Sequence, residues 1–151
     1  MNQDVVEIHA APLELDRVVR AVSAATAGGI DLFLGTTRSE RRHDGIDLVA
    51  LDYEAYAEMA ITQMNALIAA ARERWPIVRA AILHRVGRVE VTQPSVIIAV
   101  ACPHRSDAFE ACRFLIDDLK KSVTIWKREV WADGSMTWVH PETGVVEHVK
   151  Q

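Results

Sequence analysis

At 151 residues, 50% of them hydrophobic, the chain is long enough to build one core without disulfides or a structural metal. A net charge of -4 argues against a general nucleic-acid binder, which must neutralise many phosphates with one basic face. No stretch approaches the roughly 20 apolar residues that span a bilayer, and Met1-Asn2-Gln3-Asp4 lacks the basic start of a signal peptide, so a single domain (1–151) in the cytoplasm, away from membranes, is expected.

Val5 to His9 reads as a short strand. Pro12 is expected to open a helix with Leu15, Val18, Val19 and Val22 at helical spacing, and Gly28-Gly29 to end it. A strand over 30–37 follows. The polar run 38–45 (RSERRHDG) ends in Asp-Gly, so strands 30–37 and 46–56 are expected to form a hairpin around it. Residues 57–75 repeat Ala60, Met64, Leu67, Ile68 and Ala71 on one face, and Pro76 stops this longest helix. Residues 79–86 and 95–102 read as strands. The second is apolar on both faces through Val96, Ile97, Ile98, Ala99 and Val100, and so belongs in mid-sheet. Asp107 and Glu110 have capping-box spacing, and Phe109, Cys112, Ile116 and Leu119 form the stripe of a further helix. Strands 124–131 and 136–139 flank a turn at Ala132-Asp133-Gly134-Ser135. Hairpins with inserted helices predict an α+β fold with a mostly antiparallel sheet.

Two lysines stand out. Lys120, one turn beyond Ile116, is expected at the edge of the buried helix face and partly desolvated; Lys127 shares a strand face with Ile125 and Glu129. An amine ordinarily loses its proton near pH 10.4, and burial or a second cation lowers that value enough to make it a nucleophile or proton donor. Other basic groups also fall at element ends: Arg38 with Arg41 and Arg42, His104-Arg105, and Arg128 beside Lys127. If these converge, an acidic chain holds one small cationic pocket suited to a phosphate or carboxylate. Arg41, Arg42 and Lys121 read more simply as solvated surface cations. His104-Arg105 follows a buried strand and precedes a helix, where backbone N–H groups and side chains face an anion together.

Cys102, Cys112 and His84 match no zinc spacing, so no metal is expected. Cys112 reads as a buried hydrophobe and Cys102 as a packed thiol. There is no GxGxxG or GxSxG motif to support a dinucleotide site or a serine nucleophile. The four tryptophans read as core and capping residues with a share in a partner surface.

The order of motifs is distinctive: Phe33-Leu34-Gly35-Thr36-Thr37-Arg38; Leu51-Asp52-Tyr53-Glu54-Ala55-Tyr56 with Met59-Ala60; His84-Arg85-Val86-Gly87; His104-Arg105 with Ala108-Phe109 and Ala111-Cys112; Asp118-Leu119-Lys120; Ile125-Trp126-Lys127-Arg128-Glu129; and Trp138-Val139. Over about residues 30–139 it closely resembles the large, catalytic subunit of molybdopterin synthase. The resemblance implies an α/β hammerhead-type α+β fold and a homodimer within a heterotetramer that carries a small ubiquitin-like sulfur-carrier subunit at each end. It implies that the carrier's C-terminal Gly-Gly thiocarboxylate delivers sulfur to cyclic pyranopterin monophosphate, two sulfurs in turn making the molybdopterin dithiolene, with no permanently bound cofactor. Carried over by position, Lys120 and Lys127 are the catalytic pair, and both also contact substrate. Arg38, His104 and Arg105 match the family's anion-binding positions. In two places the chain departs from the pattern. Thr124 stands where the family often has proline, and His140-Pro141-Glu142 lacks an arginine that some members supply from a neighbouring protomer. Two other functions are consistent with the residues alone: a cysteine-persulfide sulfurtransferase using Cys102 or Cys112, and a non-catalytic module that binds a ubiquitin-like tail.

Overall fold

The structure, a computed structural model, describes residues 3–139 and 146–149. In chain order these form β1 (Val5–His9), α1 (Leu15–Val22), β2 (Gly29–Thr36), β3 (Leu48–Ala55), α2 (Ala57–Arg74), β4 (Arg79–Arg85), β5 (Gly87–Glu90), β6 (Pro94–Cys102), α3 (Arg105–Ser122), β7 (Ile125–Trp131), β8 (Met136–Val139) and β9 (Val146–Val149). The position after Val139 where an arginine is missing lies outside the described residues.

Every residue of β6 after Pro94 is buried, which requires strands on both its edges and layers on both its faces. It has them. The first sheet runs β1-β4-β6-β2, with β1 parallel to β4 and the other neighbours antiparallel. On one face, α2 and α3 bury Met64, Ile68, Ala71, Ala111, Cys112 and Leu115 against Ile82, Ile98 and Val100. On the other, α1 sets Val18 and Val22 on Ala81, Leu83, Ile97 and Ala99. Burying side chains of this kind contributes roughly 1.5–3 kcal/mol each, so this three-layer core fixes where the helix ends fall. A second sheet, β5-β3-β7-β8-β9, is antiparallel throughout. Among the described residues no helix is long and apolar enough to cross a membrane.

The α+β expectation holds, as do α2 with its five buried stripe residues, the central placement of β6, and the β7–β8 hairpin with Gly134 at φ +87°. Four local expectations do not. β2 and β3 form no hairpin, because β2 is the second neighbour that β6 requires while β3 leads the other sheet. The Asp44-Gly45 turn closes only a small loop: the Gly45 N–H donates to the Arg42 carbonyl at 2.9 Å, and Arg41 bridges Asp47. α1 stops at Val22 rather than at Gly28-Gly29, since after Val22 the chain offers Ser23-Ala24-Ala25-Thr26-Ala27 and nothing large to bury. The two glycines serve a close approach instead. A Cβ on Gly29 would lie 2.9 Å from the Arg105 Cα, and one on Gly28 would lie 2.5 Å from the Pro103 oxygen. α3 begins at Arg105 with His104 as an N-cap that makes no side-chain capping bond, so Asp107 complements the helix dipole and forms no capping box. The buried stripe of α3 is Ala108, Ala111, Cys112, Leu115 and Leu119, leaving Phe109 56% exposed. Small alanines let this face approach the sheet, and the helix turns accordingly.

Candidate functional site

Along β7 alternate residues face opposite sides of the second sheet. Lys127 and Glu129 take one side, opposite Tyr53 and Leu51 of β3. Arg128 takes the other, where it pairs with Asp52 at 2.5 Å and lies 4.8 Å from the Trp138 ring. Adjacent cations in the sequence therefore do different work: Arg128 is engaged in packing, and Lys127 is aimed at the first sheet and the end of α3.

Lys127 is half-buried, and its ammonium is pushed below the ordinary lysine range, first by burial and then by the Lys120 cation. Glu129 and Glu40 oppose that shift. The two lysines that the sequence singled out therefore do come together, one from the last turn of α3 and one from β7. Their environments are the reverse of the sequence expectation for Lys120. Lys120 is exposed, because the turned stripe ends on Leu119, and the desolvated amine is that of Lys127.

Three neighbours of Lys127 fall inside the ordered motifs yet received no site role from the sequence. Glu129 is pushed up by burial and by Glu40, against the pull of Lys127. Tyr53, pushed up by burial, packs edge-on against the His84 ring with centroids 5.0 Å apart. His84 is buried, and its imidazole is pushed down to about 4, chiefly by burial and further by Lys127, while Nδ1 donates to the Arg85 carbonyl at 2.8 Å. Lys127 thus sits among groups from β3, β4, α3 and the loop before β3. Strand alternation marks Glu129 as sharing a face with Lys127, whereas Glu40 and His84 come from segments distant in sequence, where no local pattern shows that they meet Lys127.

Arg38 is exposed and lies two residues before Glu40 in the segment that leaves β2. That segment is held at Thr37, whose N–H donates to the Gln93 carbonyl at 3.1 Å, and at Glu40, whose carbonyl accepts from Leu48 N–H at 2.8 Å. Arg42, read from the sequence as a solvated cation, is instead a clasp with 13% side-chain exposure: it binds Asp44 at 2.8 Å, Asp133 and Ser135 at 3.1 Å, and covers the Trp131 ring at 4.9 Å. His104 and Arg105 are exposed at the start of α3. Arg105 stands 15 residues before Lys120, about 22 Å along a helix rising 1.5 Å per residue, and His104 one residue further. Within one chain His104-Arg105 and Lys120 therefore lie at opposite ends of α3 rather than in one pocket.

Both thiols are buried. Burial pushes Cys102 up to about 11 and Cys112 up to about 12, far from the thiolate that sulfur chemistry on cysteine requires. Among the described residues no group of three or more His, Cys, Asp or Glu side chains could hold a metal ion.

Comparisons with known proteins point to one family. The chain is 43% identical over 138 residues to the molybdopterin synthase catalytic subunit of Nostoc, covering 91% of this chain and 82% of that protein. To the human molybdopterin synthase catalytic subunit it is 39% identical over 137 residues, covering 91% and 71%. The molybdopterin synthase structure from Staphylococcus aureus superposes with a TM-score of 0.83 at 32% identity, covering 91% of this chain and 97% of that one. The MoaE protein from Burkholderia ambifaria gives 0.77 at 31%, covering 96% and 93%. Residues 8–122 match the MoaE protein family, a span that runs from the end of β1 through all three helices to the end of α3, and the chain belongs to that family.

Proposed function

We propose that this chain is the catalytic subunit of a molybdopterin synthase and acts as a cytoplasmic sulfurtransferase. It takes sulfur from the thiocarboxylated Gly-Gly tail of a small ubiquitin-like carrier and delivers it to cyclic pyranopterin monophosphate, two tails supplying the two dithiolene sulfurs. Each transfer returns the tail as a carboxylate, with water supplying the oxygen that replaces sulfur. The substrate is the pyranopterin, and no resident cofactor is needed. The observation that carries the reading is the half-buried Lys127 amine beside Lys120 in a chain whose two thiols are buried and protonated.

The chemistry follows from the environments. A lysine whose ammonium is destabilised by burial and by a second cation releases and retakes a proton closer to neutral pH, which suits acid-base work on the reacting carbon. Lys120, exposed at the end of α3, offers positive charge to the anionic tail and to negative charge developing at the reacting carbon. Arg38, His104 and Arg105 hold the phosphate and pterin. Because His104-Arg105 lies at the far end of α3 from Lys120, a complete pocket draws that pair from the second copy in a homodimer, with a carrier subunit bound to each copy. The protonated, buried state of Cys102 and Cys112 speaks against a persulfide route.

Mixing the protein with thiocarboxylated carrier and pyranopterin precursor should give dithiolene product. Replacing Lys120 or Lys127 by Ala should lower its rate by at least about a hundredfold, the usual scale for losing a proton-transfer or charge-stabilising group. Unchanged turnover in Lys127→Ala would remove that residue from the mechanism. Carrier binding without product from the native protein would leave only a tail-binding module.

A further inference from the structure

Lys127 has neighbours on every element around it: Lys120 from α3, Glu129 from β7, Glu40 from the loop before β3, Tyr53 from β3 and His84 from β4. The charged members work against one another, Lys120 lowering its proton affinity and the two glutamates raising it. Burial is the largest single influence, so the groups that exclude water bear directly on the state of this amine.

Two of those groups are uncharged and locked together. Tyr53 is the residue directly opposite Lys127 in the antiparallel register of β3 and β7, where Cβ atoms lie about 5 Å apart, so the lysine stem starts beside the phenol ring. Tyr53 in turn meets the His84 ring at 5.0 Å and 70°. His84 is 4% exposed, and the bond from its Nδ1 to the Arg85 carbonyl fixes the orientation of the imidazole. His84 belongs to the first sheet and Tyr53 to the second, so the pair sits where the two sheets meet.

We infer that Tyr53 and His84 are positioning residues that form an uncharged floor under Lys127, keeping its amine out of water and beside Lys120. The inference rests on the reading above for its purpose, but its test does not require the sulfur-transfer reaction. Acylation of Lys127 by an anhydride is followed against pH in the full chain, read by mass spectrometry of the peptide that carries it, with Nα-acetyl-lysine in the same tube as reference. The native midpoint should lie below that of the reference. Tyr53→Phe, which keeps the ring, should leave the midpoint in place. Tyr53→Ala and His84→Ala should each move it toward the reference by on the order of one pH unit, read as about tenfold slower acylation below the midpoint. Circular dichroism establishes folding; where an alanine variant does not fold, Tyr53→Thr or His84→Gln replaces it with the same expectation. An unmoved midpoint in these folded variants, or a shift in Tyr53→Phe as large as in Tyr53→Ala, overturns the inference. A purely structural role would slow product formation without moving this midpoint. A midpoint that moves while product formation stays native leaves the floor standing and removes Lys127 from the transfer reaction.

Discussion

Burial holds the His84 imidazole neutral down to about pH 4, whereas the unfolded chain takes a proton on the same ring near 6.5. Between those values the unfolded state binds more protons, so the stability linked to this residue is complete above about 6.5 and is lost as pH falls toward 4. Urea titrations should show a loss of about 2 kcal/mol between pH 7 and pH 5 that a folded His84→Phe variant lacks. Equal pH sensitivity in the two proteins would mean that the ring is not buried neutral. Lys127 was readable from its neighbours in sequence, because strand alternation puts it on one face with Glu129 and separates it from Arg128. The depressed proton affinity of Lys127 was not readable, since Tyr53, His84 and Glu40, which surround it, approach only when the two sheets meet.

At the scale of elements, the loop between β2 and β3 matters most, because it carries Arg38 and Glu40 and is tied down by Arg42. Arg42 reaches 91 residues along the chain to Asp133 and lies over Trp131, so the loop is fastened to the β7–β8 turn. Arg42→Ala should speed hydrogen exchange at the Gly45 and Leu48 amides and raise the KM for precursor more than it lowers kcat, because Arg38 loses its anchorage while the lysine pair does not. Native exchange at those amides would show that the backbone bonds alone hold the loop. Elements whose own pattern was decisive, such as the α2 stripe and the doubly apolar β6, were legible in the sequence. The end of α1, the rotation of α3 and the partner of β2 were not, because each depends on what a distant segment presents: nothing to bury beyond Val22, a sheet that admits Ala108 and Ala111, and the open edge of β6.

At the scale of the whole molecule, the about 22 Å between His104-Arg105 and Lys120 along α3 sets the assembly problem. If one pocket takes its lysines from one copy and His104-Arg105 from the other, a purified hybrid dimer of Lys120→Ala and Arg105→Ala chains has one doubly damaged pocket and one intact. It should recover about half the native activity although neither parent dimer is active. A hybrid as inactive as its parents would place both residues of a working pocket on the same chain. The sequence by itself determined the α+β class, the main helices, the thiols as buried hydrophobes, and the two lysines as candidates to stand side by side. Those features follow from local periodicity, composition and short motifs. Only the tertiary structure decided which lysine loses water, which arginine is a clasp, and that His104-Arg105 stands apart from the lysine pair. Burial, electrostatic neighbours and the length of a helix are properties of packed elements, and no local stretch of chain contains them.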